Sequence, residues 1–219
     1  MKKIYIKKVF TVSMISLFFI QMLFYIVEPT VLTAASVTDN VVVTLNVTSG
    51  VTISNGSDTT MTPNMGVTSD RSVGSSSWSV ATNSATGYTL AVKASTTPAL
   101  RNGVIDNFAD YTEATPGTPD AWGGVAGGAK EFGYSAHGTD VPTATWGTAL
   151  DCGNTGTGVT NASQKYRGFS TSDVTIASRA GVTPNAGITS SICFAAQQNA
   201  VYAASGAYTA TITATATAS

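Results

Sequence analysis

The chain closes on Tyr208-Thr209-Ala210-Thr211-Ile212-Thr213-Ala214-Thr215-Ala216-Thr217, and this stretch decides the fold class. Tyr208, Ala210, Ile212, Ala214 and Ala216 fall on one face, and the five threonines fall on the other. A period of two marks a half-buried β-strand, because successive side chains point to opposite faces of the pleat. Small inward residues suit close contact between two sheets, and outward threonines suit a solvated surface.

The same period recurs upstream. Val41, Val43, Leu45 and Val47 share a face, with Val42, Thr44 and Asn46 opposite. Trp78, Val80 and Thr82 alternate with Ser79 and Ala81. After the turn-rich Asn83–Gly87 come Tyr88, Leu90, Val92 and Ala94 on one face, which predicts a hairpin with a five-residue loop. Ile188, Ser190, Ile192 and Phe194 alternate with Thr189, Ser191 and Cys193. No stretch beyond residue 35 holds a 3.6-residue period over three turns. The expected fold class is all-β, an antiparallel β-sandwich of Ig-like or Greek-key type.

Residues 99–168 differ in character. Thr115-Pro116-Gly117-Thr118-Pro119-Asp120, Gly123-Gly124 and Gly127-Gly128 predict long Gly-rich loops carrying short strands such as 131–135. This loop-rich insertion belongs to a single domain spanning 36–219, and loops on a rigid scaffold are where binding surfaces usually sit.

Composition narrows the function classes. The 219 residues include 11 basic and 12 acidic side chains, so there is no cationic excess for phosphates, and nucleic acid is not an expected partner. Two cysteines and one histidine fall short of a four-ligand zinc site, and nothing in the sequence asks for a cofactor.

The near-neutral sum conceals two unlike parts. Lys2, Lys3, Lys7 and Lys8 precede an apolar run from Phe10 to Val27, which Glu28 and Pro29 end. Thr33-Ala34-Ala35 places small residues before a cut ahead of Ser36. Residues 1–35 therefore read as a secretory signal peptide or, uncleaved, as an N-terminal membrane anchor. Both readings leave the lysines inside and the rest exported, to the cell surface or beyond. The exported part keeps seven basic and eleven acidic residues, a net charge near −4. In such a chain Cys152 and Cys193 are expected to form a disulfide, and the C-x-x-C spacing of a redox pair is missing.

Several side chains are candidates for chemistry. Asp106, Asp110, Glu113 and Asp120 concentrate acids in the insertion, either as solvated loop residues, as a calcium site or as a glycan-hydrolysing pair. Trp122, Trp146, Tyr111 and Tyr134 either stack on a polymer from exposed loops or roof the open end of the sandwich. His137, the lone histidine, is expected on a surface loop, with no nucleophile motif beside it.

Trp78-Ser79-Val80, Gly87-Tyr88-Thr89-Leu90 and the closing Gly206-Ala207-Tyr208-Thr209-Ala210-Thr211-Ile212 resemble the motifs of WxL-like secreted proteins of bacterial surfaces. Val80 stands for the leucine of the first unit, and Thr213 and Thr215 stand where the second has aromatic or apolar residues. The closing G-x-Y strand also resembles the last strand of pilin-like subunits. These resemblances imply a surface β-protein, held noncovalently at the wall or assembled into a filament.

The sequence thus predicts a non-catalytic exported protein with a structural or adhesive role. Its partner would be the cell envelope or a surface polymer, or a second copy met through the C-terminal strand; a membrane would be met only through an uncleaved leader. The competing readings are a carbohydrate-binding module and, behind it, a glycan-active enzyme.

Overall fold

The computed structural model describes the backbone of residues 2–26 and 41–219, and the side chains of 11–23 and 41–219. The cut before Ser36 lies outside the described residues. Met1–Asn46 and Val47–Ser219 form two separate compact units. In the first, α1 (Lys2–Ile26) is a helix whose described side chains are all exposed. Among the described residues, no helix is long and apolar enough to cross a membrane.

The second unit is all-β. In chain order it holds β1 (Val51–Ile53), β2 (Arg71–Thr82), β3 (Tyr88–Ala94), β4 (Arg101–Asn102), β5 (Asp106–Asn107), β6 (Ala109–Asp110), β7 (Asp120–Ala121) and β8 (Ala129–Gly138). The short helix α2 (Thr143–Trp146) follows, then β9 (Lys165–Gly168), β10 (Val174–Arg179), β11 (Ile188–Asn199) and β12 (Ile212–Ala218). The larger sheet runs β1-β2-β11-β8-β9-β7, with β6 added in parallel beside β8. The smaller sheet runs β10-β3-β12, antiparallel throughout. The two sheets pack as an antiparallel sandwich.

Alternation explains which faces meet. Trp78 and Val80 of β2, Ile192 and Phe194 of β11, and Phe132, Tyr134 and Ala136 of β8 join Tyr88, Leu90 and Val92 of β3 and Ile176 of β10 in one buried cluster. Phe169 stacks on Tyr134 at 4.4 Å and on Phe132 at 5.2 Å between ring centroids, and Trp146 lies 5.3 Å from Tyr134. Ring pairs at such separations add to what area burial alone supplies.

Three expectations are corrected. β2 and β3 do not pair as a hairpin: β2 bonds β1 and β11, whereas β3 bonds β10 and β12. Asn83–Gly87 is an arch between sheets. Alternation fixes which face of a strand is buried but not which strand lies beside it. Within the loop-rich stretch 99–168, β8 is ten residues long instead of a short strand over 131–135, and it lies between β11 and β9. Val41–Val47 carries the strand pattern but forms no strand.

The insertion also builds a second core on the outer face of the larger sheet. Val73, Cys193 and Ala195 point outward there and are covered by Tyr111, Cys152 and Tyr166, with Trp122 alongside. That is why β11 is buried on both faces from Ile192 to Gln198. Cys152 and Cys193 form the expected disulfide, with Cα atoms 5.2 Å apart, and it fastens the insertion to the sheet. Close approach requires glycine at two places. A Cβ on Gly168 would stand 2.1 Å from the Tyr111 carbonyl oxygen, and one on Gly133 would stand 2.8 Å from Tyr111 Cβ.

Candidate functional site

An edge strand presents unpaired N–H and C=O groups, and soluble proteins blunt such edges with shortness, charge, proline or a bulge. The two packed sheets have four end strands, and three of them are blunted. β1 has three residues and β7 has two. β10 breaks register between Thr175 and Ala177, and its Ser178 N–H donates to the Asp140 carbonyl at 3.1 Å. The fourth edge is β12: seven residues in unbroken register with β3, from Ile212 opposite Ala94 to Ala218 opposite Tyr88.

The hydrogen-bond phase of β12 follows from its ends. Ser95 N–H donates to the Thr211 carbonyl and Ser219 N–H donates to the Gly87 carbonyl, both at 3.0 Å. In an antiparallel ladder, residues that bond the partner alternate with residues whose backbone groups point away. Thr213, Thr215 and Thr217 therefore bond β3. The N–H and C=O groups of Ile212, Ala214, Ala216 and Ala218 point to the outer edge, where no described strand pairs with them.

β1 of the larger sheet comes within 8 Å of β12 without pairing with it. Ile212, Ala214 and Ala216 pack against the main core yet stay half-buried, while Thr213, Thr215 and Thr217 are exposed. No Asp, Glu, Lys or Arg follows Arg179, so no charge guards the strand. Its far end is pinned: the Ser219 carbonyl oxygen accepts from Ser84 Oγ at 2.9 Å and from the Thr86 hydroxyl.

The acids fasten loops and do not converge. Asp106 accepts from Lys130, from Tyr208 Oη at 2.5 Å and from the Ala204 N–H at 2.8 Å. The Lys130 hydrogen bond first, and the Tyr208 hydroxyl second, hold its carboxyl well below the usual range. In return, burial and then that hydrogen bond push the Tyr208 hydroxyl up to about 12. Asp110 accepts from the Ala99 N–H at 3.0 Å, and burial raises its carboxyl. Glu113 accepts from the Gly168 N–H at 3.1 Å and lies 3.6 Å from Arg167 Nε. Asp120 accepts from Tyr111 Oη and from the Ala114 N–H, both at 2.6 Å. Among the described residues no group of these acids is close enough to share a metal. Asp106, Asp110 and Glu113, the calcium candidates, each serve a different backbone or side-chain donor.

The aromatic candidates pack within the fold. Tyr134 and Trp146 are 0% and 1% exposed in the main core, and Tyr111 is buried in the second. Trp122 stacks on Tyr111 at 4.6 Å, meets Tyr166 edge-on at 5.2 Å, and donates from Nε1 to Gln197 Oε1 at 2.7 Å. Half-buried and engaged on one face, at one edge and at its N–H, it is part of the covering layer and not a free stacking platform.

His137 sits in β8 and not on a surface loop. Its Nδ1 is 3.5 Å from both Cys193 Sγ and Gln164 Nε2. Gln164, 1% exposed, also accepts from Ser135 Oγ at 2.8 Å. His137, Cys152 and Cys193 are the one group of potential metal ligands that converges among the described residues, and its two sulfurs are bonded to each other. Sequence reading missed the buried Gln164, Gln197 and Gln198, since amides without a motif give no signal before the second core is known.

No protein-family model, no curated protein and no solved structure matches this chain.

Proposed function

We propose that the chain is a non-catalytic, exported structural or adhesive protein of the cell surface, and that its copies associate through the outer edge of β12. The observation that carries this reading is the contrast among edges: three blunted, and one long, regular and uncharged. Strand addition at such an edge joins backbone to backbone and needs no side-chain chemistry. The disulfide that fastens the insertion fits an oxidising compartment, and the leader-like N-terminus fits export. The acids support the non-catalytic part of the reading, because each is engaged separately.

The test is sedimentation of the purified chain over rising concentration, beside an Ala214→Pro/Ala216→Pro variant. Proline removes the two outward N–H groups and leaves the bonds to β3. The wild-type chain is expected to associate and the variant to remain dissociated. A wild-type chain that stays monomeric throughout, or a variant that associates equally, refutes the reading.

A further inference from the structure

Val41, Val43, Leu45 and Val47 share one face by sequence, and they are 82, 87, 83 and 75% exposed. Val42 is 87% exposed as well. The stretch is rich in β-branched residues and has no charge between Asp39 and Asp58. An uncharged, β-prone segment that forms no strand is open to pairing with a sheet edge. Its root is fixed: the Thr48 carbonyl accepts from Asn83 Nδ2 at 2.8 Å, and Gly50 N–H donates to Asn83 Oδ1 at 2.7 Å.

We propose that Val41–Val47 of one copy lies as an added strand along the open edge of β12 in a second copy. The proposal rests on the self-association reading above and names its occupant. Lengths agree, since β12 has seven residues and the segment has seven, about 23 Å each when extended. Faces agree too. With Val41, Val43, Leu45 and Val47 turned to the side of Ile212, Ala214 and Ala216, the added strand extends the apolar inner face and covers what β12 leaves half-buried. Thr44 and Asn46 then continue the exposed threonine face. Donor and acceptor are different patches, so the contact is head-to-tail: each copy that accepts a strand still has its own to give, and the assembly extends as a filament or closes as a ring.

The test sets three variants, and a fourth that carries both introduced cysteines, beside the wild-type full chain and the Ala214→Pro/Ala216→Pro variant; Cys152 and Cys193 are the only native cysteines. The first is Val43→Asp/Leu45→Asp, which alters only exposed side chains and leaves α1 and the sandwich unchanged. The other two carry Thr44→Cys and Thr215→Cys singly, and are mixed before a short thiol cross-linker is added. The proposal expects at least a tenfold rise in the dissociation constant for the aspartate variant, and a cross-linked pair in the mixture well above that from either preparation alone. Association that survives the aspartates but is lost in Ala214→Pro/Ala216→Pro overturns the proposal and leaves the self-association reading standing. A wild-type chain that is monomeric overturns both. A chain carrying both cysteines that cross-links within itself as a monomer overturns the proposal in favour of folding back on its own edge.

Discussion

His137 Nδ1 lies 3.5 Å from Cys193 Sγ, beneath the loop that Cys152 fastens to the outer face of the larger sheet. Burial pushes this imidazole below its ordinary value, with the charge of Asp151 opposing in part. The unfolded chain takes up a proton near pH 6.5 that the folded chain declines until lower pH. Stability is therefore expected to fall as the pH drops through 6.5 toward the folded value, and to be unaffected by this group above 7. Urea midpoints at pH 7, 6 and 5 check it, with His137→Gln expected to remove that part of the slope.

The disulfide closes a loop between residues 41 apart in sequence. In the chain-entropy model such a link stabilises by about 4 kcal/mol. Cys152→Ser/Cys193→Ser is expected to lose about that much in urea unfolding. The outer layer should loosen first, read as a change in the fluorescence of Trp122, which packs on that cluster.

Gly168 tests the fit of the second core. A methyl group there meets the Tyr111 carbonyl oxygen at 2.1 Å, and backbone cannot give way as a flexible side chain does. Gly168→Ala is expected to destabilise by about 1–3 kcal/mol through overpacking. Gly103→Ala, where a Cβ meets nothing but φ is +56°, is the control for backbone strain without a clash.

Asp106 joins β5 to Lys130 of β8 and to the loop of Ala204 and Tyr208. Its carboxyl is depressed, so its contribution is present above the unfolded value near pH 4 and lost as the pH falls below it. Asp106→Asn is expected to cost about 1–2 kcal/mol at pH 7, modest because the pair is partly solvated. The difference from wild type should shrink toward pH 2. Thermal melts at the two pH values check both.

Sequence reading recovered what a strand's own residues encode and missed what depends on neighbours. The inward faces of β2, β3, β11 and β12 were legible because Trp78, Leu90, Ile192 and Ala214 alternate with polar or smaller residues. The separation of β2 from β3 was not, because a five-residue connection serves a hairpin or an arch equally well. Of β8 only the middle, 131–135, was legible within its Gly-rich surroundings; the strand runs Ala129–Gly138, and Gly133 within it lets Tyr111 and Arg167 approach. The burial of Tyr134 and Trp146, and the dispersal of the acids, follow from long-range packing that composition does not carry. The bare edge was half legible: the Thr-Ala strand was visible, but its last place in a three-stranded sheet was not.

The central claim is that β12 pairs with a further strand through its outward amides. Hydrogen exchange of single amides in dilute and concentrated protein tests it most directly. Thr213, Thr215 and Thr217, already bonded to β3, should be protected at both concentrations, whereas Ala214, Ala216 and Ala218 should exchange quickly when dilute and at least tenfold more slowly when concentrated. Equal exchange of Ala214, Ala216 and Ala218 at the two concentrations would contradict the account.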